Sequence, residues 1–313
     1  MKAFVTGCAG FVGSHLCEAL LRRGDSVIGI DALTDNYPAD VKRRNLSAYA
    51  DHPQFEFRES NLVETDLLAV LGGVDCVFHT AGQPGVRSSW GRHFEIYLKN
   101  NILATQKILE AIKTIGKPIR VVFSSSSSIY GNTDQLPVTE LSLPRPFSPY
   151  GTTKLAAEHL CHLYHQNFKV PVVSLRYFTV YGPRQRPDMG FHIFIKAMLE
   201  NRPITVLGDG SQTRDFTYVD DIVCANLLAA EKPVEGEVFN IGGGSRRSLL
   251  DTFRILEEAS NLPAKLEFRA AEKGDVKDTW ADAGKAQKRL GFEPQVDLKT
   301  GLQRQFEWER GVY

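Results

Sequence analysis

The sequence has no excess of either charge: 37 basic residues face 37 acidic ones, for a formal net charge of +0 with histidine neutral. Such a chain has no basic stripe to follow a phosphate backbone, which argues against nucleic-acid binding. Long apolar runs are missing as well. No stretch approaches the ~18 apolar residues of a membrane span. The opening "MKAFVTGCAGFVG" turns glycine-rich within seven residues and lacks the apolar region and cleavage site of a secretory leader. Cysteine is scarce. The five (Cys8, Cys17, Cys76, Cys161 and Cys224) are scattered and form no CxxC pair, so neither a disulfide framework nor a zinc site is indicated. No internal repeat is present, and the only low-complexity tract is a run of serines. With 42% hydrophobic and 24% charged residues, the expectation is a globular enzyme of the cytoplasm.

What the chain does have is alternation. The runs "KAFVT", "SVIGID", "FEFRE", "VDCVFHT", "IRVVFSS" and "VPVVSLRYF" read as strands, and amphipathic stretches at 11–23, 94–115 and 150–168 read as helices. This order predicts an α/β fold, a Rossmann-type doubly wound parallel sheet. Near Phe178 the texture changes to "YGPRQRPDMG", with shorter mixed elements beyond it, so a smaller mixed α/β C-terminal lobe is expected. The division is residues 1–177, with about 217–240 returning to the sheet, against 178–216 and 241–313.

"VTGCAGFVGSH" places Gly7, Gly10 and Gly13 in GxxGxxG spacing, directly after the first strand and opening the first helix. Gly7 permits a tight turn, Gly10 lets backbone approach a pyrophosphate, and Gly13 allows close packing of helix on strand. Phosphates would lie against the helix N-terminus at Phe11 and Val12. Asp31 ends the next strand about twenty residues on, where a carboxylate accepts hydrogen bonds from an adenosine ribose and repels a 2′-phosphate. NAD is therefore expected rather than NADP. Lys42, Arg43 and Arg44 follow eleven or more residues later and read as a solvated or adenine-side face.

"SSSSSIYG" (124–131) would be a flexible linker in most settings, but here it follows "IRVVF", where a parallel strand ends. In "SPYGTTKLAAEHL", Ser148 reads as an N-cap and Pro149 as the first helical residue, which puts Tyr150 and Lys154 on one helix face. An ammonium close to a phenol, with a positive nicotinamide ring nearby, lowers the tyrosine pKa, and a lowered tyrosine can act as a base toward a substrate hydroxyl while the nicotinamide takes the hydride.

The glycine fingerprint, Asp31, the serine run and Tyr150-x-x-x-Lys154 together resemble the extended short-chain dehydrogenase/reductase family, specifically its nucleotide-sugar epimerases and dehydratases. The resemblance spans nearly the whole chain. It implies that Ser126 shares the catalytic hydrogen bond with Tyr150 and Lys154. It also implies cofactor contacts at Asn61, Leu62, Ala81, Gly82, Asn100 and Tyr177, and homodimerisation through the helices near 94–115 and 150–168. Ile102, Ile108 and Leu160 are candidate dimer contacts that a monomer core would explain equally well.

Dehydratases of the family carry Asp-Glu directly after the catalytic serine position, and uronate decarboxylases resemble them in carrying a Glu. This chain has Ser127 and Ser128, and a hydroxyl is a poor acid at neutral pH but a good donor. Epimerisation remains. "QPGVRSSWG", "RYFTVYGPRQRPDMGF" and "GDGSQTRDFTYVDD" are similar to bacterial UDP-glucuronate 4-epimerases. Oxidation of C4 in a glucuronate makes a β-keto acid, which loses carbon dioxide once its C5–C6 bond stands perpendicular to the carbonyl plane. Ser127, Ser128, Thr179 and Arg186 are the candidate anchors that hold the carboxylate otherwise, and Arg87 is a candidate for sugar hydroxyls. The resemblance implies a pyrophosphate contact at Arg214 and a ribose contact at Asp275. Where relatives usually have Arg, the chain has Glu272, and Lys273 or Arg269 are candidates for the missing charge. The competing readings are a UDP-glucose/UDP-galactose (or N-acetylhexosamine) 4-epimerase, a UDP-glucuronate decarboxylase, and a non-catalytic NAD sensor.

Overall fold

Runs of β-branched and aromatic residues that are apolar on both faces can persist only when helices cover both sides of the sheet. In a computed structural model that describes residues 1–270 and 276–312, five such runs are strands, joined by the edge run "FEFRE", which alternates apolar and charged residues. They are β1 (Lys2–Thr6), β2 (Ser26–Asp31), β3 (Phe55–Glu59), β4 (Cys76–His79), β5 (Arg120–Ser126) and β6 (Val172–Tyr177). Between them lie α1 (Phe11–Arg22), α2 (Ala39–Ser47), α3 (Leu67–Leu71), α4 (Phe94–Tyr97), α5 (Ala104–Ile115) and α6 (Pro149–Phe168). Beyond β6 come β7 (Thr179–Tyr181), α7 (Gly190–Leu199), β8 (Ile204–Leu207), β9 (Thr213–Tyr218), α8 (Val219–Glu231) and β10 (Val238–Ile241). The chain continues with β11 (Ser245–Ser248), α9 (Leu249–Ser260), β12 (Leu266–Arg269), α10 (Gly284–Leu290) and α11 (Leu298–Val312).

The main sheet is parallel throughout, in the order β10-β6-β5-β4-β1-β2-β3. Strand progression reverses between β1 and β4, so the loops that follow them diverge and open a crevice at the strand ends. Phe4, Val77, Val121 and Phe123 project from one face into a core with Ile108, Leu109, Ala157 and Cys161. Val5, Phe78, Val122 and Val173 project from the other against Leu16, Leu20, Ile222 and Ala225. Truncating one of these phenylalanines to Ala costs about 3–5 kcal/mol, a large part of any domain's net stability. A third core joins Phe11 from α1 to Tyr181, Phe191, Phe216, Phe253 and Leu302, tying the small lobe to the glycine-rich loop. Two small sheets, β11-β9-β7 and β12-β8, build that lobe.

Two local features set the positions of Tyr150 and Asn101. Ser148 Oγ accepts the Gly151 N–H at 3.1 Å, and Pro149 needs no donor partner, so α6 starts with Tyr150 in its first turn. Between α4 and α5 the chain makes a π-helical turn, Leu98–Leu103. That turn swings Asn101 inward. Its Oδ1 accepts the Gln83 N–H at 2.7 Å, and its Nδ2 donates to Gln83 O at 3.1 Å and Thr153 Oγ1 at 3.0 Å.

Ile108 and Leu160 belong to the monomer core, Ile108 fully buried and Leu160 packed against it, because both face the sheet. The exposed large apolar side chains of the segments 94–115 and 150–168 are Ile96, Leu98, Leu103, Leu163 and Phe168. Among the described residues, no helix is long and apolar enough to cross a membrane.

Candidate active site

At the strand ends a cavity of about 1610 Å³ runs between the sheet and the small lobe. Single small-molecule pockets measure roughly 300–1,000 Å³, so this one has room for two ligands end to end.

The glycine loop forms its floor. Gly7 has φ +70°, and a Cβ there would lie 2.9 Å from Ala81 Cα. A Cβ on Gly13 would fall 2.1 Å from Gly7 O, so helix and turn pack without room for any side chain. Gly10 is different. Its φ is an ordinary −76°, it lines the cavity, and α1 starts there with no side-chain cap. Phe11, Val12 and Gly13 also line the wall, so the free N–H groups of α1 and its dipole meet the cavity, a fitting seat for a phosphate pair. Asp31 accepts N–H groups from Ala9 (3.1 Å) and Leu33 (2.9 Å), which fixes its carboxylate at the wall. Burial raises its pKa, and the Leu33 N–H opposes that shift. Asn61, Leu62, Ala81, Gly82, Asn100 and Tyr177 all line the same space. The Tyr177 hydroxyl is tied to Ser124 Oγ at 3.0 Å and to Asn226. These residues fit a dinucleotide.

Lys42 lines the cavity, which sets aside the solvated reading and leaves the adenine-side one. It is buried rather than solvated, because its ammonium donates to Thr34 O (2.5 Å) and Asn36 Oδ1 (2.7 Å) and sits 4.5 Å above the Tyr37 ring. Arg43, by contrast, is exposed and paired with Glu59.

The five serines divide the labour at the end of β5. Ser124 bonds Tyr177, and Ser125 Oγ donates to Glu158 Oε2 at 2.6 Å. The Ser126 hydroxyl acts on Tyr150, opposing the rise in its pKa, and accepts the Ser128 N–H at 3.2 Å. Ser127 and Ser128 turn into a short 3₁₀ segment on the cavity wall. Under them lies a buried ion pair that sequence reading did not anticipate. Arg176 grips Glu158 through Nε and Nη2, and its Nη1 donates to the Tyr130 hydroxyl, which donates to Asn240 Oδ1 at 2.6 Å. With every member satisfied, such a network holds the strand end rigidly.

Tyr150 and Lys154 both face the cavity, but their electrostatics differ from the sequence expectation. Burial raises the Tyr150 pKa, while the Ser126 hydroxyl and then the Arg186 charge oppose that rise. Lys154 is not among the groups acting on the phenol. Its own pKa is pulled down to about 8 by burial, with its Nζ 4.8 Å above the Phe123 ring. The protein alone therefore does not supply the lowered phenol.

Behind Lys154, His79 is fully buried between Thr6 Oγ1 (2.8 Å) and Thr105 Oγ1 (3.0 Å), and Thr6 Oγ1 also accepts the Ala81 N–H. This chain of bonds sets the Ala81–Gly82 loop. Burial, and then the Lys154 charge, hold the His79 pKa at about 3. Above the ordinary value of ~6.5 the imidazole is neutral in both folded and unfolded chains. As pH falls from there toward 3, only the unfolded chain takes the proton, so stability is lost at ~1.4 kcal/mol per unit. The expected result is that His79→Gln is less stable than wild type at pH 7, with the gap narrowing by about 2 kcal/mol at pH 5. Denaturant midpoints at the two pH values measure it; a constant gap would show that His79 titrates alike in both states.

Arg186, the expected carboxylate anchor, lines the cavity with its guanidinium already paired to Asp188, Nε to Oδ1 at 3.0 Å and Nη2 to Oδ2 at 2.9 Å. Thr179 starts β7 beside the serines, and Arg87 is exposed at the rim. Arg214 lines the small-lobe side, with Nη1 donating to Thr213 O (2.8 Å) and Lys277 O (2.9 Å). Asp275, Glu272 and Lys273 lie outside the described residues. Arg269 does line the cavity, and so does Arg247, which the sequence reading passed over.

A sequence profile of the NAD dependent epimerase/dehydratase family matches residues 3–242. The chain is 47% identical to a Bacillus cereus UDP-glucuronic acid 4-epimerase whose crystal structure holds UDP-glucuronic acid and NAD; the two superpose with TM-score 0.96 over 100% of both chains. It is 46% identical to a Bacillus subtilis protein named as an uncharacterized UDP-glucose epimerase, over 100% of this chain and 99% of that one. To a UDP-glucuronate 4-epimerase of Thermodesulfobacterium geofontis it is 38% identical, over 98% and 95% of the two chains.

Proposed function

The chain belongs to the NAD dependent epimerase/dehydratase family, and on that premise we propose that it inverts C4 of UDP-glucuronate to give UDP-galacturonate. Residues 1–177 with about 217–240 would carry NAD, and 178–216 with 241–313 the nucleotide sugar. When bound, NAD⁺ supplies the hydride acceptor at C4 and returns the hydride to the opposite face, so the cycle is redox-neutral. Tyr150 takes the proton of the 4-hydroxyl, and the Ser126 hydroxyl, which already opposes the rise in the phenol's pKa, steadies the phenolate. Lys154 holds positive charge deep in the site up to about pH 8.

The observation that carries the uronate reading is the wall beside Tyr150. Ser127, Ser128, Thr179 and Arg186 offer three hydroxyls and a guanidinium there, and positions 127 and 128 offer no carboxylic acid. Donors without an acid suit a carboxylate that must be held and must not be protonated. The Bacillus subtilis relative's name favours UDP-glucose as a second reading.

The same purified sample tests both. Incubated with UDP-glucuronate and no added cofactor, it should form UDP-galacturonate, faster per unit kcat/KM than it converts UDP-glucose; preference for the neutral sugar would overturn the uronate reading. We also propose a homodimer through the helical face bearing Leu98, Leu103 and Leu163, so the particle should weigh twice one chain in light scattering, and a monomer at micromolar concentration would reject it.

A further inference from the structure

The buried face of α11 is apolar at Leu298, Leu302 and Phe306 but polar at Gln305 and Glu309, both of them fully buried. Burying such groups costs free energy unless they find partners. Their bonds converge on one short stretch, the loop 182–189 between β7 and α7 together with the first turn of α7. Gln305 Oε1 accepts the Gly182 N–H at 2.8 Å, and Gln305 Nε2 donates to Gln185 Oε1 at 3.0 Å. Gln185, itself buried, also accepts the His192 N–H at 3.0 Å and donates from Nε2 to Val180 O at 3.1 Å. One turn further along α11, Glu309 Oε1 stands 2.9 Å from His192 Nδ1.

This loop is costly to hold in shape. Gly182 and Arg184 have φ of +139° and +63°, the second unfavourable for any side chain, and Pro183 and Pro187 bring no N–H. A second grip comes from α1, where His15 Nε2 bonds Pro183 O at 2.9 Å and Glu18 Oε1 accepts Arg184 Nη2 at 2.7 Å. Next to the gripped residues, Arg186 and Asp188 line the cavity; Gln305 does not. We infer that Gln305 is a positioning residue, through which the C-terminal helix sets where Arg186 stands and so how well the site tells a uronate from a neutral hexose. This rests on the proposed role of Arg186 as the carboxylate anchor.

Gln305→Met keeps the length of the side chain and removes both bonds. It should lower kcat/KM for UDP-glucuronate about 3- to 30-fold, the range for a residue that acts through a network without touching the ligand. UDP-glucose should lose less, and bound NAD should be unchanged. In an Arg186→Ala background the same substitution should cost no further selectivity, because the two residues act as one. Hydrogen exchange followed by mass spectrometry should quicken in 182–192 and stay unchanged in the parallel sheet. Should Gln305→Met not fold, Gln305→Glu keeps the oxygen that Gly182 needs, loses the donor to Gln185, and carries the same cycle. Equal losses on the two sugars, a selectivity loss that persists without Arg186, or unchanged exchange in 182–192 would each overturn the inference. A wild type that favours UDP-glucose would overturn the uronate reading instead, and exchange in 182–192 would still decide whether Gln305 holds the loop.

Discussion

Tyr150→Phe is expected to lower kcat by at least ~10²-fold, the usual contribution of a positioned general base, while bound NAD stays in place. The substitution removes one oxygen from a ring that sits edge-on to Tyr97, with centroids 6.3 Å apart, so packing is kept. Ser126 would lose its partner, but its bond to the Ser128 N–H remains. Turnover and the absorbance of extracted dinucleotide give the two readouts. A Phe variant with near-normal kcat would mean that another group takes the 4-hydroxyl proton. Loss of NAD together with activity would mean that Tyr150 is needed to hold the cofactor.

The second large effect is one of selectivity. Removing the charged partner of a carboxylate in a desolvated site costs ~2–5 kcal/mol, roughly 30- to several-thousand-fold. Arg186 already shares its fork with Asp188, which places Arg186→Ala toward the lower end for UDP-glucuronate. UDP-glucose, with a neutral hydroxymethyl group, should lose much less. That smaller loss is not zero, because the Arg186 charge also helps hold down the Tyr150 pKa. A freed carboxylate can swing out of the ring plane, so the variant should also release some carbon dioxide and a 4-keto pentose nucleotide. Measured kcat/KM on both sugars decides the matter: equal losses would leave Arg186 with its effect on Tyr150 and no role as an anchor.

The parallel sheet was legible because strands buried on both faces have little choice of residue: "VVF" is wholly apolar and "VVSL" is apolar but for Ser174. The glycine loop and Asp31 were legible for a related reason, since a backbone turn against a phosphate restricts composition at fixed spacing. Tyr150 and Lys154 could be placed by the cap at Ser148 and by helical periodicity. Periodicity fails at Asn101, because a π turn adds one residue to the helix and no propensity signals it. It fails again for Arg176, Glu158, Tyr130 and Asn240, whose contacts join residues up to 110 positions apart. Spacing left Lys42 between a solvated and an adenine-side face, because it does not show the polar socket that Thr34 and Asn36 form for its ammonium on the cavity wall. In the protein alone burial raises the Tyr150 pKa beyond what Ser126 and Arg186 offset, and the lowered phenol read from the sequence counted the nicotinamide ring as well.

The position of Tyr150 in the first turn of α6 has one more effect on the phenol. Side chains tilt toward the N-terminal end of their helix, so this hydroxyl is carried toward the positive pole of a twenty-residue stack of peptide dipoles. Such a pole is worth about 0.3–1 kcal/mol to an anion, under one pKa unit. The Lys154 ammonium discharges near pH 8, whereas peptide dipoles do not titrate. On the alkaline side of that point the backbone still favours the phenolate, with a field that neither proton concentration nor the redox state of the dinucleotide can switch off.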